Sequence, residues 1–405
     1  MSTPLKELCE LIVDCPHFTA PDEGSGYPLI RTPDIGLGFL DLSNVHRVSE
    51  EVYSSRNVRA TPQPMDLILA REAPAGNVGI IRRGQHVCLG QRTVLIRPNQ
   101  EKVDPWYLNY YLNAPQQRHE LLSNANGATV SHINMPVIRN LPVSLPGLRE
   151  QRVIASVLRA YDDLIENNRK QIRLLEEAMQ RLYWEWFIDF NFPGHEDVEI
   201  VDGVPEGWRR VPFFDVVEIT RGRSYKRDEI HGCDRILVNL GNMASFGGWR
   251  FGKEKPYSGV FKQEQIVKAG DLVMAITEQS KERRLVGYVA IVPNYSQETV
   301  FSMDLIKLTP KSIDKWFLYS HLRFSGLSRE ISFLANGTNI LHLKPDALDA
   351  VRILMPLRRI QDAFSEFISP LVLKRWVLEK QIFKAQEARN RLLPKLMSDE
   401  SEVYL

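Results

Sequence analysis

The sequence predicts an α+β protein that uses one module twice: two similar globular domains separated by two long helices, packed as an antiparallel intramolecular coiled coil. Three observations predict it. The chain aligns with itself when Asp104 is laid on Asp314 and the offset is kept. Asp104-Pro105-Trp106-Tyr107-Leu108 then falls on Asp314-Lys315-Trp316-Phe317-Leu318, Ala125-Asn126-Gly127 on Ala335-Asn336-Gly337, His132 on His342, Pro146 on Pro356 and Gln151 on Gln361. A repeat of this length is one supersecondary unit copied, with insertions and deletions in its variable part. The second observation is a stretch from Arg149 to Phe187 without Gly or Pro, carrying an apolar heptad stripe. The third is the texture of what precedes each helix: short apolar runs such as Leu67–Ala70 and Val286–Val292, separated by Gly, Pro and Asn, which read as strands and turns.

Taken in order, residues 1–146 form the first mixed domain and 147–190 the first long helix. Residues 191–210 are a linker rich in turn residues, 211–356 the second mixed domain, 357–398 the second long helix and 399–405 a tail. Within each mixed domain a helix starts at Trp106 or Trp316, with Asp104 or Asp314 as N-cap, and ends before an Asn-Gly pair. The first stripe runs through Ile154, Leu158, Tyr161, Ile165, Asn168, Ile172, Leu175, Met179, Leu182 and Trp186, alternating steps of four and three. The second is weaker: Phe364, Ile368, Leu371, Arg375, Leu378, Ile382, Ala385, Arg389, Leu392 and Leu396. Pro370 predicts a kink or a late start for that helix. One copy's stripe needs a partner and the other copy supplies it.

Composition narrows the function. The 405 residues are 43% apolar and 25% charged, with net charge +1, which excludes a low-complexity disordered chain. No apolar run is long enough to span a bilayer and the N-terminus lacks a signal-peptide pattern, so a cytoplasmic location is expected. Cys9, Cys15, Cys88 and Cys233 form no CxxC pair and read as reduced thiols, without a disulfide or zinc framework. No phosphate-binding loop, dinucleotide fingerprint, HExxH, GxSxG, Asn-Pro-Pro-aromatic tetrapeptide or acid-x-Lys nuclease pattern is present. Nothing nominates a catalytic group or a metal ligand set.

Basic residues cluster beside Gly and aromatic residues, a pattern suited to nucleic-acid contacts but also to solvated loops. In the first domain the candidates are Arg31, Arg71, Arg82-Arg83 and Arg92; in the second, Arg221, Arg223, Tyr225, Lys226, Lys281, Arg283 and Arg284. The repeated turn adds Asn126 and His132, with Asn336, Thr338 and His342. The two histidines read either as satisfied turn residues or as nucleic-acid contacts.

The layout resembles the specificity subunit of type I restriction–modification systems. Besides the doubled module, the resemblance rests on Leu145-Pro146-Gly147-Leu148-Arg149-Glu150-Gln151-Arg152 at the entry to the first long helix and Asp163-Leu164-Ile165-Glu166-Asn167-Asn168 in its middle. Leu182-Tyr183-Trp184-Glu185-Trp186-Phe187 at its exit and Gly207-Trp208-Arg209-Arg210-Val211-Pro212 at the second domain's opening complete it. The second helix departs from the pattern, since Leu357-Arg358-Arg359-Ile360-Gln361 lacks the usual Glu before Gln. The resemblance implies a non-catalytic subunit of an adenine-methylating complex, binding double-stranded DNA. Each target-recognition domain would read one half of a bipartite, asymmetric site. The helices would set the half-site spacing and dock two methyltransferase (modification) subunits, and restriction/translocase subunits would join them. No cofactor is expected in this chain: S-adenosylmethionine would sit on the methyltransferase, and ATP and Mg on the restriction partner. Tyr183, Trp184, Trp186 and Phe187 could be docking residues or an apolar plug. The competing reading is a two-headed coiled-coil adaptor that binds other proteins.

Overall fold

The computed structural model describes residues 2–123 and 132–397. The chain divides into two compact units, Met1–Leu164 with Ala385–Leu405, and Ile165–Lys384. In the first unit the strands are β1 (Thr3–Pro4), β2 (Cys9–Asp14), β3 (Tyr27–Ile30), β4 (His46–Val48), β5 (Leu67–Ala70), β6 (Val78–Ile80), β7 (Cys88–Leu89), β8 (Thr93–Pro98) and β9 (Pro142–Val143). Its helices are α1 (Glu50–Arg56), α2 (Pro105–Asn113), α3 (Pro115–Ser123), α4 (Met135–Arg139) and the start of α5 (Leu148–Phe187).

An antiparallel sheet of order β2-β8-β5-β6 lies at the centre of this head, beside a smaller sheet β4-β3-β7 whose β3–β7 pair is parallel. Both faces of the larger sheet are buried, which is why Leu67-Ile68-Leu69-Ala70 is apolar throughout instead of alternating. Leu67 and Leu69 join a core with Trp106, Leu108 and Leu112 of α2, whereas Ile68 and Ala70 face Ile30 and Leu89 of the smaller sheet. The start of α5 adds Ile154 and Leu158 to the first of these cores, together with Leu392, Leu396 and Met397 from the chain's far end.

The second unit continues α5 and then runs β10 (Ile200–Val201), β11 (Val204–Pro205), β12 (Arg209–Pro212), α6 (Phe213–Val216), β13 (Val217–Arg221), β14 (Arg235–Val238), β15 (Lys255–Pro256), β16 (Ile266–Val267), β17 (Leu272–Ala275), β18 (Thr277–Glu278), β19 (Val289–Ile291), β20 (Glu298–Phe301) and β21 (Leu305–Pro310). It ends with α7 (Lys315–Phe324), α8 (Leu327–Phe333), β22 (Leu341–His342), β23 (Arg352–Met355) and most of α9 (Arg358–Leu396). Its sheets repeat those of the first unit: β13-β21-β17-β19 stands for β2-β8-β5-β6, and β14 pairs with β20 in parallel as β3 does with β7. Segment 191–210 is built into this unit, with Phe192, Val204 and Trp208 buried in its core.

Within the second unit α5 and α9 are antiparallel: Trp186 packs tilted against Phe364, Glu176 meets Arg375, and Asn168 Nδ2 donates to Gln381 Oε1 at 3.0 Å. Within the first unit Asp162 pairs with Arg389 in the same sense. Of the first stripe, Ile154, Leu158, Ile165, Asn168 and Met179 are buried and Tyr161, Ile172, Leu175 and Leu182 half-buried. Of the second, Phe364, Ile368 and Leu378 are buried and Leu371, Ile382 and Leu392 half-buried.

Two expectations change. α9 does not start at Pro370; it begins at Arg358 and passes through the proline. A proline inside a helix costs about 3 kcal/mol. Phe364, Ile368 and Val372, all buried in one core on both sides of it, each contribute roughly 1.5–3 kcal/mol and hold the helical path. The helices that start beside Trp106 and Trp316 are also pairs, not single helices. Asp104 and Asp314 cap them as expected, each accepting from the backbone N–H three residues on, at 2.9 and 3.0 Å. The first pair is broken at Pro115, which opens α3 with no N–H to lose, and the second at Gly326, whose φ of +91° suits glycine.

The strongest repeated residues form one hydrogen-bonded unit. Gln151 Oε1 accepts from Asp104 N at 2.9 Å while its Nε2 donates to Pro146 O at 2.9 Å. Gln361 does the same with Asp314 N at 2.8 Å and Pro356 O at 2.7 Å. Each glutamine is buried and ties the start of a long helix to the helix cap of its head. Gln151→Ala should cost about 1–3 kcal/mol, because it leaves a half-buried N–H and a half-buried carbonyl unpaired. Hydrogen exchange on the full chain should speed up at 104–113 in Gln151→Ala and at 314–324 in Gln361→Ala, each without effect on the other head.

Candidate nucleic-acid interface

In the first head, residues far apart in sequence meet at one edge of the sheets. Arg71 follows β5 and donates from Nε to Ile133 O at 2.8 Å and from Nη2 to His132 Nε2 at 2.7 Å. Since a guanidinium only donates, Nε2 accepts, and the proton on Nδ1 goes to Glu72 Oε1 at 2.7 Å. The other oxygen of Glu72 holds Arg92 Nη1 at 2.8 Å. Arg31 lies alongside: Gly90 N donates to Ile30 O at 2.8 Å, and a Cβ at Gly90 would come within 3.1 Å of Arg31 Cα. Thr32 Oγ1 also donates to Ala73 O at 3.1 Å. Arg31 itself pairs with Asp34 at 3.2 Å and bonds His46 at 2.9 Å. Arg31, Arg71, Arg92 and His132 are therefore brought together, and Asn126 lies outside the described residues. Glu72 organises the cluster without having stood out in the sequence, since nothing local marks it as the partner of His132.

The second head divides its candidates. Arg221 is exposed, 3.8 Å from the Asp346 carboxylate. Arg223 is held by Val260 O at 2.8 Å and by Glu229 at 3.5 Å, and Tyr225 accepts from Lys255 Nζ at 2.7 Å. Lys226, Lys281, Arg284, Thr338 and His342 are exposed. Asn336 Nδ2 donates to Leu334 O at 3.1 Å, and its backbone exchanges two hydrogen bonds with His342. Two arginines expected to face DNA spend their guanidinium groups internally. Arg283 donates to Ser332 O and Ala335 O and lies over the Phe333 ring, and Arg71 is almost wholly buried.

The aromatic exit of α5 is the plug and not an open surface. Tyr183, Trp186 and Phe187 are buried in the second unit's core, and only Trp184 is substantially exposed, its Nε1 donating to Phe324 O at 2.8 Å. The Tyr183 hydroxyl bonds His321 Nδ1 at 2.7 Å, while His321 Nε2 accepts from Leu354 N at 3.3 Å. Burial pushes the His321 pKa down to about 3, so the imidazole is neutral. These residues lie at a cavity of about 470 Å³ that Arg210 and Arg352 also line.

The two heads share one backbone frame at the loop edge. Gly90 N to Ile30 O corresponds to Ser302 N to Val238 O at 2.9 Å. Arg71 N to Arg92 O at 2.8 Å corresponds to Ile276 N to Asp304 O at 2.9 Å. Ile133 N to Arg71 O at 3.1 Å corresponds to Leu343 N to Ile276 O at 2.8 Å. The turn after the parallel strand closes the same way in both, Arg31 N to Asp34 Oδ2 and Asn239 N to Asn242 Oδ1. The side chains on this common frame differ: Arg31 against Asn239, Arg71 against Ile276, Glu72 against Thr277 and Arg92 against Asp304.

Comparison with known proteins identifies the frame. Residues 2–177 match the family model described as the type I restriction modification DNA specificity domain. The type I restriction enzyme MjaIX specificity subunit of Methanocaldococcus jannaschii is 26% identical over 386 residues, spanning 94% of this chain and 88% of the relative. Over nearly its whole length the chain is similar to type I specificity subunits. A second specificity subunit of that organism, MjaVIII, is 25% identical over 337 residues, covering 81% of this chain and 77% of its own length. The fold is that of a solved specificity subunit from M. genitalium, with a TM-score of 0.65 at 16% identity, covering 99% of this chain and 96% of the other. These similarities give the two-headed adaptor reading no support. This chain carries a mixed head twice. Among its described residues no group of three or more His, Cys, Asp or Glu could hold a metal ion, and no helix is long and apolar enough to cross a membrane. All four cysteines are free.

Proposed function

We propose that the chain is the sequence-specific DNA-binding subunit of a type I restriction–modification enzyme, each head reading one half of a bipartite, asymmetric site. The observation that carries this is the common backbone frame holding different side chains in the two heads. A repeated scaffold places both sets of loops alike, and divergence on it lets each copy recognise different bases. The partners that follow are two modification subunits that methylate adenine with S-adenosylmethionine, and restriction/translocase subunits that use ATP and Mg. The long helices would space the half-sites and dock the modification subunits, and the complex would work in the cytoplasm. The chain itself contributes recognition, and the chemistry belongs to its partners.

The test is to express the chain with its modification subunits and sequence the host genome for methylated positions. One split motif, absent when this chain is omitted, supports the reading. Binding of the purified complex to that motif should exceed binding to unrelated DNA by about 10³-fold or more at physiological salt, and should weaken steeply as salt rises. Methylation that persists unchanged without the chain would overturn it.

A further inference from the structure

The matched frame singles out one position in each head, residue 92 in the first and residue 304 in the second. Both sit in the loop that leads into the central strand, β8 or β21, with their carbonyls accepting the hydrogen bond described above. Arg92 has an unusual backbone, with φ +63°, a left-handed conformation that a long side chain rarely adopts. Such a residue persists where its surroundings over-determine it, commonly at binding sites. Here Arg71 N fixes the Arg92 carbonyl and Glu72 fixes its guanidinium at 2.8 Å. Glu72 is 15% exposed while the Arg92 side chain is 63% exposed, so an inward carboxylate orients an outward cation. Among the described residues Glu72 takes one guanidinium nitrogen of Arg92, and the fork's other donors can serve another acceptor. The matching position in the second head holds Asp304, which is half-buried and, when ionised, can only accept. A donor fork and an acceptor on the same frame cannot select the same base edge.

Resting on the DNA-reading function above, we propose that residue 92/304 is a base-reading position, and that Arg92, oriented by Glu72, recognises a guanine through O6 and N7 in the half-site read by the first head. A preoriented guanidinium matches the two acceptors of guanine in the major groove, and neither thymine nor cytosine offers that pair. Glu72 is a positioning residue here, and Arg71, turned inward, supports the frame.

The experiment uses the full complex with its modification subunits and two variants. Arg92→Asn keeps a residue that tolerates positive φ and removes the fork. Arg92→Lys keeps the charge and loses the bidentate geometry. Genome methylation mapping should show that both variants relax one position of one half-site from guanine toward any base. Discrimination there should fall by between about five-fold and about 150-fold, with the other half-site unchanged. A motif identical to wild type in both variants would overturn the inference. So would Arg92→Asn weakening all sites evenly while Arg92→Lys behaves as wild type, because that pattern marks a phosphate contact. A wild-type complex that methylates no motif would instead refute the DNA-reading function itself, so the two failures are separable.

Discussion

Replacing Glu176 by alanine is expected to destabilise the second unit by about 3 kcal/mol, as measured by equilibrium denaturation of the full chain. The Glu176 Oε1 atom receives Arg323 Nη2 at 2.7 Å and Arg375 Nη1 at 3.1 Å, and Arg375 also pairs with Glu379 at 2.9 Å. Both arginine side chains are less than a tenth exposed, so removing the carboxylate strands buried cations. The effect stays at the lower end of the range for buried pairs because Glu176 itself is a third exposed. A loss below about 0.5 kcal/mol would class the group with solvated surface pairs. Burial pushes the Glu176 carboxyl up, but Arg375 and Arg323 outweigh it and hold the group below its ordinary value. The stability it contributes is therefore present above the ordinary carboxylate range and lost as pH falls through the lowered value. Glu176→Gln should flatten that part of the acid profile. Arg375 occupies an apolar position of the second stripe, and this network is why a charge is tolerated there.

Exchanging residues 211–356 for the corresponding segment of a related specificity subunit should replace one half of the methylated motif and leave the other half intact. The exchanged segment carries β13 to β23, with its own pair of sheets and the matched loop frame, and it takes Asp314 and Pro356 of the clamp with it while Gln361 stays in the resident helix. The new motif would be read by mapping methylation in cells that express the chimera with the same modification subunits. A change in both halves would show that neither head reads independently. Loss of all methylation by a chimera that folds and still binds its modification subunits would contradict modular recognition equally.

The repeat, both Asp caps, the long helices and the apolar central strands were legible because each depends on local chemistry or on a constant offset. Other features depend on neighbours in space. The path through Pro370 is decided by Phe364, Ile368 and Val372 meeting one core, which no local rule reports. Arg92 and Asp304 are separated by two residues more than His132 and His342, and Arg71 and Ile276 by five fewer, so a fixed offset never aligns the positions that matter. Arg283 looked like a surface cation because its sequence neighbours are charged, and Arg71 because it follows an apolar strand at a turn, yet both donate to carbonyls of distant segments. Tyr183, Trp186 and Phe187 are apolar enough for either a surface or a core, and only the packing of Phe317, Phe364 and Trp208 around them decides it.

The paired glutamine clamps have a consequence for inheritance. Each head is fastened by the same three groups: an aspartate N–H, a proline carbonyl and one glutamine side chain. A gene crossover that falls just ahead of either glutamine codon would keep the fastening wherever the incoming head brings its own aspartate and proline to the resident glutamine, and such a joint needs no compensating mutation. Lineages that shuffle segments at these two places can assemble new pairs of heads without rebuilding a core. The number of head pairs open to them then grows as the product of the variants available for each position.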